Sequence, residues 1–229
     1  MKHACLILAL TAALARADSL DAVLNRMDQA AAKFRSLTAN VRHTDYTDVL
    51  SDTSVEEGTF KILKRAKTSV VLLAEFIGKD ARKVWMSGNT VKIYYPKANS
   101  VDIIDTRKFT KSADQLLLVG FGVSKAELEK MYNISLGGNE TLGTTKTTRI
   151  DLTPKSAEAK KLFNVIQLWI PDGGANPIQE KVLSGKDNKD YKLFEFSNEN
   201  IRTTADPQLP ASDFELNLPP GVKPITPGK

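Results

Sequence analysis

Between Gly58 and Pro96 the chain reads as three or four short strands in close succession, rich in Val, Leu, Ile and Phe. Gly58 to Arg65 is the first and Thr68 to Ile77 the second, with Gly78-Lys79-Asp80 as the turn that follows. Val84 to Met86 and Val91 to Tyr95 then form a hairpin across Ser87-Gly88-Asn89, and Val101 to Ile104 continues the run. Such a succession is a meander, the simplest antiparallel connection. A dibasic pair, Lys64-Arg65, closes the first of these strands just ahead of the apolar run Val70–Leu73. A charge at the lip of an apolar sheet must either point to water or have a partner inside.

The flanking segments supply a helix and more strands. Asp18 or Ser19 can cap a helix on which Leu20, Val23, Leu24, Met27 and Phe34 recur at helical spacing, ending near Ser36. From Leu37 the period changes to two, with Leu37, Ala39 and Val41 alternating with polar residues, and Ser51 to Ser54 reads as a turn. In the middle of the chain, 112–119 reads as a short apolar helix broken by Gly120-Phe121-Gly122. Ser124 then caps another short helix carrying Leu128 and Met131. Two short helices between two runs of strands imply a cover rather than a core layer. Strands resume over Thr144 to Leu152 and Val165 to Ile170, and a second hairpin joins Ile178–Leu183 to Tyr191–Phe196. Six of the ten prolines lie from Pro207 onward, so the tail is extended, with Phe214, Leu216 and Leu218 as its sheet contacts. The expectation is ten or eleven strands and three helices, mainly β, in one domain over 18–229.

The N-terminus has the form of a secretory signal. Lys2 precedes an apolar stretch from Ala4 to Leu14, too short to span a bilayer, and Ala15 and Ala17 fit a cleavage site before Asp18. A signal peptide over 1–17 leaves a mature chain without cysteine, which needs no disulfide in an oxidising compartment. The implied location is the periplasm. Losing Lys2 and Arg16 lowers the net charge from +5 to +3. The lysines are scattered among acids rather than gathered into a basic stripe, which argues against nucleic acid as a partner.

Catalytic chemistry is sparse. With one histidine, His43, and no cysteine, the mature chain has no thiol nucleophile and no multi-histidine metal site. His43 itself reads as a surface or hydrogen-bonded residue. Glu56-Glu57 and Asp102 with Asp105 are paired carboxylates with no apolar pocket evident to split their pKa values. The expectation is a protein without enzymatic activity, metal or cofactor. A curled sheet whose helices fill its concave face is an ordinary core, and composition leaves that open. A sheet only covered by its helices encloses an apolar cavity instead. A lipid suits such a space, since a sixteen-carbon chain carries on the order of 12 kcal/mol of burial energy.

Several motifs, in order, resemble one family. They are the helix-to-strand joint Phe34-Arg35-Ser36-Leu37, the strand Glu57-Gly58-Thr59-Phe60-Lys61-Ile62-Leu63-Lys64-Arg65, and the hairpin Ser87-Gly88-Asn89-Thr90-Val91-Lys92-Ile93-Tyr94-Tyr95-Pro96. Leu152-Thr153-Pro154-Lys155 and the C-terminal Phe214-Glu215-Leu216-Asn217-Leu218-Pro219-Pro220-Gly221-Val222 follow. Over about 200 residues the chain resembles the LolA-type periplasmic carriers of outer-membrane lipoproteins. The resemblance implies a strongly curved antiparallel sheet, an incomplete β-barrel with a helical lid over an apolar cavity. It implies a monomeric carrier that takes acylated lipoprotein or lipid cargo from an inner-membrane ABC transporter complex to an outer-membrane acceptor. Another envelope lipid as cargo, or a sensor or scaffold on the same fold, are the alternatives. The family's lid-latching arginine falls on Arg65, followed here by Ala66 where the family has proline. Period-two spacing from Arg65 puts Leu63 on its face, and Val71, Leu73, Val91 and Ile93 complete the expected cavity wall.

Overall fold

The computed structural model describes residues 18–66, 69–105, 119–207 and 209–225. The signal segment 1–17 and all but the last residue of the short apolar helix expected over 112–119 lie outside them.

The first helix, α1, spans Leu20–Lys33. Ser19 caps it, its hydroxyl accepting from the Ala22 N–H at 3.2 Å, with Asp21 in the first turn and Lys33 in the last, both favourable to the helix dipole. Val23, Leu24, Met27 and Ala31 form the buried stripe. The helix stops at Lys33, earlier than its periodicity predicts, because Phe34 already takes extended dihedrals and opens β1.

Twelve strands follow among the described residues: β1 (Phe34–Thr47), β2 (Asp52–Ala66), β3 (Ser69–Ile77), β4 (Arg82–Ser87), β5 (Thr90–Tyr95), β6 (Ser100–Asp105), β7 (Tyr132–Leu142), β8 (Thr145–Pro154), β9 (Val165–Pro171), β10 (Gln179–Ser184), β11 (Asp190–Thr203) and β12 (Lys223–Ile225). They form one curved, unclosed sheet in the order β12-β6-β5-β4-β3-β2-β1-β11-β10-β9-β8-β7. Neighbours are antiparallel except β12, which lies parallel to β6. The expected β-rich architecture with an incomplete barrel and helices is the one observed.

Three local expectations give way. The turn expected at Ser51–Ser54 is a one-turn 3-10 helix at Asp48–Leu50 closed by left-handed Ser51, after which Asp52 already belongs to β2. Strand β7 was not anticipated, because its Gly137-Gly138 and asparagines read as loop; a bulge between Leu136 and Gly138 accommodates the glycines. A third short helix also forms at Ala157–Lys160, here α3, capped by Ser156. The helix capped by Ser124, α2 (Lys125–Met131), forms as expected and carries a capping box with Glu127.

Two apolar clusters share the helix-bearing face. The first packs Val23, Leu24 and Met27 of α1 and Leu128 of α2 onto Ile150, Leu152, Ile166, Leu168 and Ile170 of β8 and β9. The second joins Leu37, Ala39 and Val41 of β1 to Phe60, Ile62, Leu72, Ala74 and Met86 of β2–β4, with Phe121 from the loop ahead of α2. A third, on the opposite face, is small: Leu63, Val71 and Phe214.

Candidate functional site

Residues directly opposite in an antiparallel ladder share a face, so register assigns every side chain. Leu37 pairs with Ile62, Ile62 with Leu72, Leu72 with Met86 and Met86 with Val91. One row further along, Ala39, Phe60, Ala74, Val84 and Ile93 follow each other across β1–β5. Both rows lie on the helix-bearing face. Their members on β1–β3 are buried, whereas Val84, Val91 and Ile93 are half-buried. The result is an apolar strip that runs out from under the helices toward the β6 edge.

The six residues expected to line one cavity divide between two faces. Val91 and Ile93 belong to the strip. Leu63 pairs with Val71, and Val71 with Ser87, on the opposite face, where Leu73 pairs with Trp85. There Phe214 of the C-terminal segment is fully buried against Leu63 and Val71, and the Trp85 indole N–H donates to the Phe214 carbonyl at 3.1 Å. Arg65 is exposed. The run Val70-Val71-Leu72-Leu73-Ala74 is apolar on both faces, so alternation gave no parity, and a register shift between Lys64 and Ala66 displaces the count from Arg65.

Lys64, not Arg65, is the inward cation. Its ammonium donates to the Ala31 carbonyl at 3.1 Å and the Gly122 carbonyl at 3.4 Å. A cation at a helix C-terminus is favourable both as a donor to free carbonyls and toward the dipole. Lys64 thereby ties β2 to the end of α1 and to the loop at Gly120-Phe121-Gly122. That loop is closely seated: Phe121 meets Phe196 edge-on at 5.2 Å, and Phe196 lies 5.5 Å from Phe60. Gly122 has φ +70°, and a Cβ there would fall 2.6 Å from the Phe34 ring. Of the dibasic pair, one residue faces water and the other has a task inside.

Beyond the strip the same face becomes polar. His43 stacks on Phe194 at 4.5 Å, and its Nδ1 lies 3.2 Å from Glu56 Oε2. Arg82 donates through both terminal nitrogens to the two Glu56 oxygens, and its guanidinium sits 4.6 Å over the Phe76 ring. Burial holds the His43 pKa below its ordinary value against the raising effect of Glu56, while the Arg82 hydrogen bonds hold Glu56 low. Glu180 belongs to the same row, opposite Phe194, and is fully buried; burial drives its pKa well up. His43 is thus hydrogen-bonded, as one of its two expected settings had it, but inside rather than on the surface. Arg82 and Glu180 carried no motif, and the adjacency Glu56-Glu57 concealed that the two side chains face opposite ways.

Among the described residues no three His, Cys, Asp or Glu side chains converge to hold a metal ion. An open groove of about 800 Å³ on the side away from the helices includes the charged side chains of Arg42, Glu57, Glu75 and Lys83. Glu75 there pairs with Lys83 at 2.5 Å and Lys61 at 3.7 Å. Val41, Phe76, Ile77 and Pro96 line it as well.

The architecture has solved counterparts. An uncharacterised conserved protein from Thermus thermophilus superposes with TM-score 0.53 at 12% identity, over 90% of this chain and 98% of that one. MucB superposes with TM-score 0.51 at 13% identity, over 86% of this chain and 62% of MucB, so the chain spans less than two thirds of MucB's length. A LolA superfamily protein from Nitrosomonas europaea also matches, at 12% identity and TM-score 0.40, over 87% of this chain and 99% of that one. At the level of fold the chain resembles the Thermus thermophilus protein and MucB. These identities speak to the fold alone. No protein-family model and no curated protein sequence matches the chain. Among the described residues no helix is long and apolar enough to cross a membrane.

Proposed function

We propose that this LolA-like protein is a non-enzymatic carrier that shields acyl chains on the helix-bearing face of its sheet. The observation that carries the reading is the apolar strip from Phe60 and Leu72 to the half-buried Val84, Val91 and Ile93, bounded on its helical side by the Phe121 loop. That loop is held to β2 by the polar contact from Lys64, which a cargo chain can displace without opening the larger cluster under α1. A contact made in the empty state and lost in the loaded one is what couples cargo to a conformational change. Within this reading the protein works in the periplasm after removal of residues 1–17. It receives acylated lipoproteins from an inner-membrane ABC transporter complex and passes them to an outer-membrane acceptor. The test is mass spectrometry of organic extracts of the protein purified from the envelope, with thermal unfolding in the presence of a synthetic triacylated lipopeptide. Co-purifying acylated species and a raised Tm are expected. A protein free of lipid and indifferent to lipopeptide would overturn the proposal, and a glycolipid in the extract would replace lipoprotein as the cargo.

A further inference from the structure

The polar row at the end of the apolar strip contains one unsatisfied atom. His43 is 93% buried, and its Nε2 has no hydrogen-bond partner. Buried polar atoms are paired in the great majority of cases, so an orphan calls for an explanation. The other ring nitrogen explains which kind of partner is missing. Glu56 is engaged by Arg82 through both oxygens and is an acceptor only, so the hydrogen between it and His43 belongs to Nδ1. In the neutral ring Nε2 is then a lone-pair acceptor. Burial, the largest influence on this ring, favours that neutral form.

The cations of the row are already engaged. Arg82 is occupied by Glu56 and Lys192 on the flanking strand is paired with Asp45, while the remaining carboxyl, Glu180, has its pKa raised well up by burial. Among the described residues of the row, no cation stands free for an anionic group. The Phe194 ring, half-buried beside His43, offers a flat apolar platform.

We propose that His43, Phe194 and the Glu56–Arg82 pair form a subsite for the uncharged polar end of an amphiphile, whose hydroxyl or amide N–H donates to His43 Nε2 while its acyl chain runs along the strip toward Val91. The proposal rests on the carrier reading and adds the chemistry of the cargo's head: neutral and hydrogen-bond donating, rather than phosphate or carboxylate. The Glu56–Arg82 pair acts through His43, fixing its tautomer and ring plane.

The experiment uses the mature chain and three probes with the same twelve-carbon chain, each below its micelle concentration at pH 8: dodecyl maltoside, monododecanoylglycerol and dodecanoate. Calorimetric titration is expected to show the two uncharged probes binding about tenfold tighter than dodecanoate, the worth of one hydrogen bond. His43→Leu keeps the apolar volume and is expected to erase that preference while still binding all three. A measurement on the unaltered protein covers a variant that fails to fold. The nitrogen-15 resonance of Nε2 is expected to move on adding monododecanoylglycerol and to stay in place with dodecanoate. Equal affinities for the three probes, a preference that survives His43→Leu, or a silent Nε2 resonance would overturn the subsite and leave the carrier standing. Binding of none of the probes would overturn both.

Discussion

The ammonium of Lys64 donates to the Ala31 carbonyl, 3.1 Å away at the C-terminal end of α1. Its second acceptor, Gly122, belongs to the loop that carries Phe121 into the cluster on β1–β4. One side chain therefore contacts helix, loop and sheet at once. Lys64→Met keeps most of the stem and removes the donor. The expected cost is about 1.5–3 kcal/mol, the range for a hydrogen bond to a charged group, with faster amide exchange around Phe121 and Gly122. Arg65→Met, on an exposed neighbour, is expected to stay within about 0.5 kcal/mol. Chemical denaturation and hydrogen-exchange mass spectrometry of the two variants check this; equal behaviour would remove the distinction drawn between them.

Face assignment makes opposite forecasts for residues that the sequence grouped together. Leu73→Glu places a carboxylate on the side away from the helices at a site 4% exposed. It is expected to cost about 3 kcal/mol and to leave fatty-acid uptake per folded molecule unchanged. Ile93→Glu, at a half-buried site in the strip, is expected to cost under about 1.5 kcal/mol and to lose uptake. Binding of a fluorescent fatty acid, normalised to the folded fraction from circular dichroism, separates the two. Loss of uptake in the Leu73 variant with retention in the Ile93 variant would invert the assignment.

Phe214 of the C-terminal segment has no exposed surface and packs on Leu63 and Val71. Phe214→Ala is expected to cost about 3–5 kcal/mol, as for other buried aromatic truncations. Trp85 also donates to the Phe214 carbonyl, so release of the segment should alter Trp85 fluorescence. A fluorescence change preceding global unfolding in a denaturant titration of the variant is the signature sought.

Two buried groups give stability a pH dependence of opposite sign. Glu180 has its folded pKa raised by burial. From the unfolded value near 4.5 upward the unfolded chain has lost a proton that the native state keeps. Stability therefore falls as pH rises through that window, by up to about 1.4 kcal/mol per unit. Glu180→Gln is expected to flatten this decline and be the more stable form at pH 7. His43 has its folded pKa lowered, so below its unfolded value near 6.5 the unfolded chain takes up a proton first, and stability falls as the pH is lowered. Denaturation midpoints between pH 4 and 8 for the wild type, Glu180→Gln and His43→Leu check both slopes.

Local chemistry made much of the fold legible. Ser19 and Ser124 announced their helices because a hydroxyl ahead of an apolar period satisfies the free N–H groups. The hairpin of β4 and β5 announced itself through alternation around Gly88, whose φ of +54° the turn requires. The first half of β2, Asp52 to Glu57, did not: apart from the exposed Val55 its residues are polar, and their partners lie in β1. Strand β7 stayed hidden behind Gly137 and Gly138, since a bulge leaves the same trace in sequence as a loop. On the helix-bearing face, Val91 and Ile93 follow from their period of two. Leu63, Val71 and Leu73 were misplaced because the residue that covers Leu63 and Val71, Phe214, comes from the far end of the chain. His43 was visible, but the Arg82 that sets its partner's charge was not, because no local pattern links a residue of β1 to one of β4.

The strand order has a consequence for how the molecule is made. β1 is the seam of the sheet, with β2 on one side and β11 on the other, and Tyr46 cannot meet Tyr191 until nearly the whole chain exists. The meander β1–β6 can zip as it emerges, each strand on its predecessor. Among the described strands the other half, β7–β11, pairs with it through the β1–β11 ladder, a closure across most of the chain length that is slow by its contact order. Until then the free edge of β1 and the apolar strip beside it stand open. A nascent chain in that condition presents an unpaired strand edge and apolar surface together, the combination that invites aggregation until the last strands arrive.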